Sequence, residues 1–223
     1  MCTCGQVPST ASFDSSFYAH AFEVQLEGDD ATLSILGIRP EPDRYVVSEL
    51  VSMAARRCSR WECVALEAAV DQKHPLVVEG VAELGSTDKL RLDGCTLPCG
   101  DLGVFQAREL DLISRPTLMY MDFADATDLP DLRMLRMRGV WSDYEADGVC
   151  RILSHLPDTV KGLQIQCDGA LPSDWGQNIC EAVGALRGLM HIDIRMDDVR
   201  LEEQPEWRAS VGSAAEYTVV NFD

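Results

Sequence analysis

Long apolar runs are missing from this chain. A helix that crosses a bilayer needs about 18 or more consecutive apolar residues, and no such stretch occurs. The chain begins MCTCGQVPSTASFDSS, without the basic region and continuous apolar stretch that mark a secretory signal. We therefore expect no membrane insertion and an intracellular protein, cytoplasmic by default.

Positive charge is also scarce. The chain has 19 Lys and Arg residues against 37 Asp and Glu residues, and its formal net charge is −18. DNA, RNA and anionic membranes bind proteins through positively charged surfaces, so this balance disfavours all three as partners. We expect protein partners instead, among them a basic protein or the neighbours in a multi-subunit assembly.

The short motifs of several large enzyme classes are absent as well. The sequence contains no GxSxG, GxxxxGK(S/T) or HExxH, and no GxGxxG that follows a strand. The four His residues are scattered along the chain, and His191 and Asp193 share a strand face simply because they are two residues apart. We therefore predict no catalytic residues, no cofactor and a protein that is not an enzyme.

Cysteine is present but lacks the patterns that would give it a role. Nine cysteines are an odd number, and the chain is large enough to fold without disulfide bonds. No pair of CxxC knuckles occurs, so we predict no metal site. We expect reduced thiols, with Cys150, Cys167 and Cys180 beside core positions.

A recurring apolar spacing, apolar-x-x-apolar-x-apolar, is the main positive feature of the sequence. Its middle members are 20 to 29 residues apart, and each occurrence is typical of a short strand. The seven occurrences are Leu33/Leu36/Ile38, Trp61/Val64/Leu66, Thr87/Leu90/Leu92, Ala107/Leu110/Leu112, Leu132/Leu135/Met137, Val160/Leu163/Ile165 and Leu189/Ile192/Ile194.

Helix signals lie between these strands. Residues 45–57 and 173–186 carry apolar residues at helical spacing, Pro75 opens a third such stretch, and a fourth ends at Pro157. The step after Leu90 is too short for a full helix, so we expect a loop or a 3₁₀ turn there. A lone strand–helix unit cannot bury its apolar side, so the units are predicted to stack.

Both ends of this array differ from its middle. Residues 22–26 and 32–38 alternate in polarity around a turn-prone Gly28-Asp29-Asp30, which predicts a hairpin. Near the other end, Trp207 and the strand-like residues 217–222 are predicted to cover the last unit.

This pattern, with a period of about 28 residues over residues 33–201, resembles the leucine-rich repeat, specifically a degenerate form of its ribonuclease-inhibitor-like class. The resemblance implies an α/β solenoid of about seven strand–helix units with a parallel sheet on its concave side. It divides the chain into a flexible segment at 1–17, a repeat domain at 18–201 whose first part, 18–32, is a hairpin cap, and a C-terminal cap at 202–223. The alternative is an ordinary α/β sandwich with a mixed sheet.

The turns depart from the family pattern. The family usually carries Asn or Cys three residues after the last apolar member of each strand. Here these positions hold Ala69, Cys95, Arg115, Val140, Asp168 and Asp197. We therefore expect no continuous asparagine ladder and irregular turns.

The concave face that the resemblance implies selects the candidate binding residues. Residues that flank or separate the last two apolar members of each strand point away from the core, including Ile35, Gly37 and Arg39 on the first strand. The candidate partner-binding residues are Arg91, Asp93, Asp111, Met134, Arg136, Arg138, Gln164, Gln166, His191, Asp193 and Arg195.

Two interpretations of the arginines on this face remain open. They bind carboxylates of a partner, for which Arg is well suited, or they pair with Asp93, Asp111 and Asp193 on the same face. The function we favour is a non-enzymatic scaffold that binds a protein through its concave strands. The alternatives are a permanent structural subunit with its acidic surface against basic neighbours, or, by resemblance alone, a regulator of an enzyme such as a GTPase.

Overall fold

The structure is a computed structural model that describes residues 21–27, 30–38, 43–69, 75–98, 106–113, 117–118, 131–139, 143–168, 173–196 and 215–221. Expectations for residues 1–17, for the connection that includes residues 99–105 and for Trp207 lie outside the described residues.

Eleven strands and three α-helices are described. The strands are β1 (Ala21–Glu27), β2 (Asp30–Ile38), β3 (Arg60–Ala68), β4 (Leu76–Val77), β5 (Ser86–Asp93), β6 (Cys95–Thr96), β7 (Gln106–Ile113), β8 (Met134–Gly139), β9 (Gly162–Cys167), β10 (Leu189–Met196) and β11 (Ala215–Asn221). The helices are α1 (Asp43–Ala55), α2 (Asp143–Ser154) and α3 (Ser173–Gly184), with a 3₁₀ helix at Val81–Leu84.

Nine strands form one sheet in the order β1-β2-β3-β5-β7-β8-β9-β10-β11. Only β1, which forms the predicted hairpin with β2, is antiparallel to its neighbour. The other neighbours are parallel, including β11, which lies beside β10 at the opposite edge. The short strands β4 and β6 form a separate parallel pair. The predicted α/β class with a mostly parallel sheet is therefore confirmed.

Six of the seven predicted strand registers are also confirmed. The Cα partners run Val64–Leu90–Leu110–Leu135–Leu163–Ile192 across six neighbouring strands, in one unbroken line. The last members of the spacing align in the same way, from Leu66 to Ile194. Every residue of the first line is 0 % exposed, so the recurring spacing marks the residues that each strand buries.

The register predicted for the first strand is wrong by three residues. Leu33, not Leu36, pairs with Val64, and Ile35 pairs with Leu66. Ile35 is therefore buried at 0 % exposure rather than lying on the open face. The register shifts between Ile35 and Ile38, so that Ile38 is buried as well. A β-bulge of this kind breaks strict alternation, and Gly37 at φ 70° supplies the unusual backbone conformation.

Three predicted helices are confirmed and one is not. The stretch after Pro75 forms β4 and a single 3₁₀ turn instead of an α-helix. Leu76 and Val78 are buried while Val77 between them is exposed, which is the alternation of a strand. The two glycines at 80 and 85, both at φ 84°, confine the helical conformation to Val81–Leu84.

The core lies between one face of the sheet and the helices. Val51 of α1, Ile152 and Leu153 of α2, and Ile179 of α3 join the inward-pointing strand residues in one buried cluster. α1 packs against the 3₁₀ helix and α2 against α3, each the next helical element described along the chain. The helices therefore cover one face of the sheet, and the polar face lies on the opposite side.

Candidate functional site

The open face, the side of the sheet opposite the core, carries three rows of side chains across β3, β5, β7, β8, β9 and β10. The amino-terminal row is Cys63, Lys89, Glu109, Met134, Gly162 and His191. The middle row is Ala65, Arg91, Asp111, Arg136, Gln164 and Asp193. The carboxyl-terminal row is Glu67, Asp93, Ile113, Arg138, Gln166 and Arg195.

All eleven candidate residues lie in these rows, on strands that are hydrogen-bonded neighbours. The structure therefore brings together residues more than 100 positions apart in sequence, from Arg91 to Arg195. Along each strand the residues between the buried positions point to the opposite face, and the aligned registers of neighbouring strands place these residues in rows.

Two ion pairs cross between strands of this face. Arg136 Nη1 lies 2.6 Å from Glu109 Oε2, a short charge-assisted hydrogen bond between β8 and β7. Lys89 Nζ lies 3.6 Å from Asp111 Oδ2, between β5 and β7. Glu109 and Lys89 were not among the candidate residues. The offset that joins them to their partners is diagonal, and it becomes visible only once the strand order is known.

Asp193 is the most enclosed charged group of the face. Its residue is 8 % exposed, and Gln164 Nε2 donates to Oδ2 at 3.1 Å. Arg195 Nε donates to Oδ1 at 3.3 Å, and Arg195 Nη2 lies 3.1 Å from Oδ2. These donors stabilise a carboxylate that burial alone would disfavour.

The arginines divide between the two interpretations. Arg195 pairs with Asp193, Arg91 lies 4.0 Å from Asp93, and Arg136 pairs with Glu109. Arg91 and Arg195 thus pair with two of the aspartates named for the second interpretation, Asp93 and Asp193, and Arg136 pairs on the same face with Glu109. Arg138 differs: it is exposed, and within the described part of the chain no hydrogen bond or ion pair joins its side chain to another.

Met134 supplies the apolar centre of the amino-terminal row. It lies directly over Gly162 on the neighbouring strand, where a Cβ would come within 2.7 Å of its Sδ. Gly162 thus makes room for the Met134 side chain, which is half-buried. His191, which follows Gly162 in the same row, is exposed.

Six of the nine cysteines lie in the part of the chain that the structure describes. The six described cysteines are free thiols, and no group of three or more His, Cys, Asp or Glu side chains suited to a metal occurs among the residues described. Burial raises the pKa of the Cys95 thiol to about 12, with Asp93 adding to the effect, and the pKa of Cys180 to about 12. Burial also raises the pKa of Cys63 on the open face. A raised pKa means little thiolate at neutral pH, so these thiols are weak nucleophiles.

A polar cleft lies away from the open face, at the amino-terminal ends of β3, β5 and β7. Its volume is about 220 Å³, and Arg60, Asp88, Arg108 and Asp131 are among its lining residues. Asp88 lies 3.1 Å from Arg108 and 3.9 Å from Arg60. These side chains are well exposed, so the cleft holds solvated ion pairs rather than an enclosed site.

No helix among the described segments has the length and apolar character needed to span a membrane. Comparison with family models, with curated proteins and with solved structures finds no match to this chain.

Proposed function

We propose that this protein is a non-enzymatic interaction protein, a leucine-rich-repeat-like solenoid that binds another protein on its open strand face. The observation that carries the proposal is the unequal covering of the parallel sheet: helices pack on one face, while the other presents three rows of mostly polar side chains. Parallel sheets are usually covered on both faces. A repeat solenoid is the architecture that leaves a broad strand face free for binding.

The packing of the units supports the solenoid. Six strands bury residues of one repeated spacing in one aligned register. Helical elements also pack on neighbours in chain order, as α2 does on α3. In a stack of repeats each unit contacts the next one, and the edges are covered by atypical elements such as the β1–β2 hairpin.

The chemistry of the face supports binding rather than catalysis. Several of its charged side chains pair across neighbouring strands, as Arg136 does with Glu109 and Lys89 with Asp111, which restricts their positions in the free protein. A pre-ordered surface loses less conformational freedom when a partner binds. Six free thiols suit a reducing compartment, so an intracellular location is part of the proposal.

A permanent structural subunit is the second candidate, and the charge distribution favours it. The three rows of the open face carry five cations and five carboxylates, so they contribute no net charge to a chain of −18. The acidic excess lies elsewhere on the molecule, where it complements basic neighbours in an assembly. A transient electrostatic contact weakens as salt is raised, whereas an obligate apolar interface survives.

Bulky substitutions on the open face test the proposal. Ala65→Trp on β3 and Gln166→Trp on β9 add volume to half-buried positions of the face. Met53→Trp is the control, because Met53 is 55 % exposed on α1, on the helical side. The tagged chain is isolated gently from its source cells at low and at high salt, and the co-purifying proteins are quantified by mass spectrometry.

We expect the two face variants to lose a stoichiometric partner that wild type and Met53→Trp retain. Retention at high salt would identify the permanent subunit, and loss at high salt the transient binder. Undiminished partner levels in both face variants, with folding verified by circular dichroism, would reject the open face as the binding surface.

A further inference from the structure

We propose that the carboxyl-terminal row of the open face binds an acidic, extended segment of the partner protein, with Arg138 and Arg195 contacting its carboxylates. This inference rests on the proposed function, because it assigns a partner chemistry to the same face. It concerns one end of that face, on β8, β9 and β10.

Charge on the open face is separated along the sheet. Within the three rows of the open face, β3, β5 and β7 contribute two cations and four carboxylates: Lys89, Arg91, Glu67, Asp93, Glu109 and Asp111. The strands β8, β9 and β10 carry three arginines, Arg136, Arg138 and Arg195, and one carboxylate, Asp193. Within the rows, one end of the face therefore has an excess of two negative charges and the other an excess of two positive charges. Asp168, just beyond β9, accepts a hydrogen bond from Gln166 Nε2 at 2.8 Å and reduces the positive excess at that end to one.

The carboxyl-terminal row shows the same separation along a single line. In strand order its residues are Glu67, Asp93, Ile113, Arg138, Gln166 and Arg195. Acidic residues occupy one end and arginines the other, with an isoleucine between them. A segment that lies along this row meets attraction at the β8–β10 end and repulsion at the β3–β5 end. The row thus fixes where a carboxylate binds.

The spacing of the two arginines fits an extended segment. Neighbouring strands are about 4.8 Å apart, so the Cα atoms of Arg138 and Arg195, two strands apart, are separated by about 10 Å. Side chains on one face of an extended peptide recur about every 7 Å. Long arginine side chains span the difference, so both reach carboxylates at alternate positions of one segment.

Arg138 has the most donors available for a partner. Arg136 donates to Glu109 and Arg195 to Asp193, whereas Arg138 is exposed and is bonded to no other described side chain. Its guanidinium presents five N–H donors in a planar fork that matches a carboxylate in two parallel hydrogen bonds. Arg195 is 50 % exposed at its side chain and adds the donors that Asp193 leaves free.

The rest of the molecule selects a protein segment rather than a nucleic acid. The net charge of −18 repels a polyanion over distances comparable to the Debye length, about 8 Å at physiological salt. A short acidic segment on the β8–β10 end meets three arginines, Arg136, Arg138 and Arg195, against two carboxylates, Asp193 and Asp168. The mixed charge of the remaining face then limits how far an acidic tract extends along it.

Peptide binding to matched variants tests the inference. The probe is a fluorescein-labelled peptide of alternating Glu and Ser residues, and its control has Gln in place of every Glu. Fluorescence anisotropy measures binding to the full chain, to Arg138→Glu, to Arg138→Gln and to Arg57→Glu. Arg57 is exposed in the turn after α1, so Arg57→Glu changes the net charge equally without altering the open face. Circular dichroism verifies that each variant is folded.

We expect the Glu peptide to bind and the Gln peptide not to bind, with affinity for Arg138→Glu lowered by about tenfold and that for Arg57→Glu by less than about twofold. The smaller loss in Arg138→Gln should separate lost attraction from added repulsion. Equal binding of the two peptides, or equal losses in Arg138→Glu and Arg57→Glu, would overturn the inference. A labelled RNA that binds wild type more tightly than the Glu peptide would also overturn it.

These outcomes are distinct from failure of the proposed function. If Ala65→Trp and Gln166→Trp release the native partner while Arg138→Glu retains it and ignores the Glu peptide, the face binds a partner of other chemistry and only this inference fails. If the tryptophan variants retain the partner, the proposed function fails as well.

Discussion

The thiols of Cys95 and Cys180 are ionisable but buried, so a thiolate at either position would not be hydrated. Both are buried at 1 % exposure or less, and both belong to the core cluster. Burial raises each pKa from 9.0 to about 12, because the thiolate would lose its hydration. The folded protein therefore keeps both protons at a pH where the unfolded chain has released them.

This difference makes stability fall in alkali. Full stability from these thiols is present below the unfolded pKa of about 9 and is lost as pH rises toward about 12. At pH 10 each thiol should lower the free energy of unfolding by about 1 kcal/mol relative to pH 7.5. The comparison is urea unfolding of wild type and of the Cys95→Ala/Cys180→Ala double variant, with reductant present at both pH values.

The double variant should be less stable at pH 7.5, because two buried sulfurs are removed. Its deficit should then shrink by about 2 kcal/mol at pH 10, since it has no thiol to ionise at these positions. An equal fall with pH in both proteins would show that other groups cause the alkaline loss.

The residue scale also shows what sequence alone predicts about the site. Alternation places all eleven candidate residues on one face, because successive side chains of a strand point to opposite sides of the sheet. The ion pairs could not be predicted in this way. Glu109 and Lys89 find their partners by strand order and diagonal offset, which no local pattern contains. Among the described residues Arg138 has no bonded side-chain partner, and its diagonal neighbour Asp111 pairs with Lys89 instead.

Among the structural elements, the single 3₁₀ turn at Val81–Leu84 depends on its two flanking glycines. Gly80 and Gly85 share φ 84°, but ψ is 0° at Gly80 and −92° at Gly85. A Cβ at Gly85 would lie 2.6 Å from the Ser59 carbonyl oxygen, whereas at Gly80 its nearest neighbour would be Val51 Cγ1 at 3.8 Å. The same substitution therefore meets immobile backbone at Gly85 and only ordinary van der Waals contacts with side chains at Gly80.

Gly85→Ala should lower the free energy of unfolding by about 2 to 3 kcal/mol, since backbone strain and a clash with immobile backbone act together. Gly80→Ala is the matched control and should cost about 1 kcal/mol, from strain alone. Urea unfolding measures both. Equal losses in the two variants would indicate that the approach to Ser59 is relieved by a small shift of the turn.

Two elements, the first strand of the repeated spacing and the stretch after Pro75, were not predicted correctly from sequence. In the first strand the last two members of the repeated spacing fit both Leu33/Ile35 and Leu36/Ile38, and the first member is apolar only in the second case, so local periodicity favours the wrong register. Pairing with β3 decides for Leu33, and a bulge then buries Ile38 as well. After Pro75, apolar residues at helical spacing belong to a strand and a short turn, because the flanking glycines override periodicity.

At the scale of the whole molecule, one sheet has two unlike faces. The core face is apolar and continuous from β2 to β10, and helices cover it. The open face is polar, internally paired and without net charge, on a chain whose net charge is −18. Composition alone gives the large acidic excess, and the strand registers show that the three rows of the open face do not contribute to it.

Each surface, the open face and the helical side, carries one Met and one His that can be oxidised, so the oxidation of the two surfaces can be compared directly. Met134 and His191 lie in the amino-terminal row of the open face. Met53 on α1 and His155 just after α2 are exposed on the helical elements. Methionine is readily converted to its sulfoxide wherever oxidant reaches it, so each pair reports access to its own surface.

Hydroxyl-radical footprinting of the gently isolated native complex, against the free chain, is the measurement that tests open-face binding most directly. We predict that oxidation of Met134 and His191 falls severalfold in the complex while oxidation of Met53 and His155 is unchanged. Protection of Met53 and His155 with Met134 and His191 still oxidised would place the partner on the helices and contradict binding through the open face.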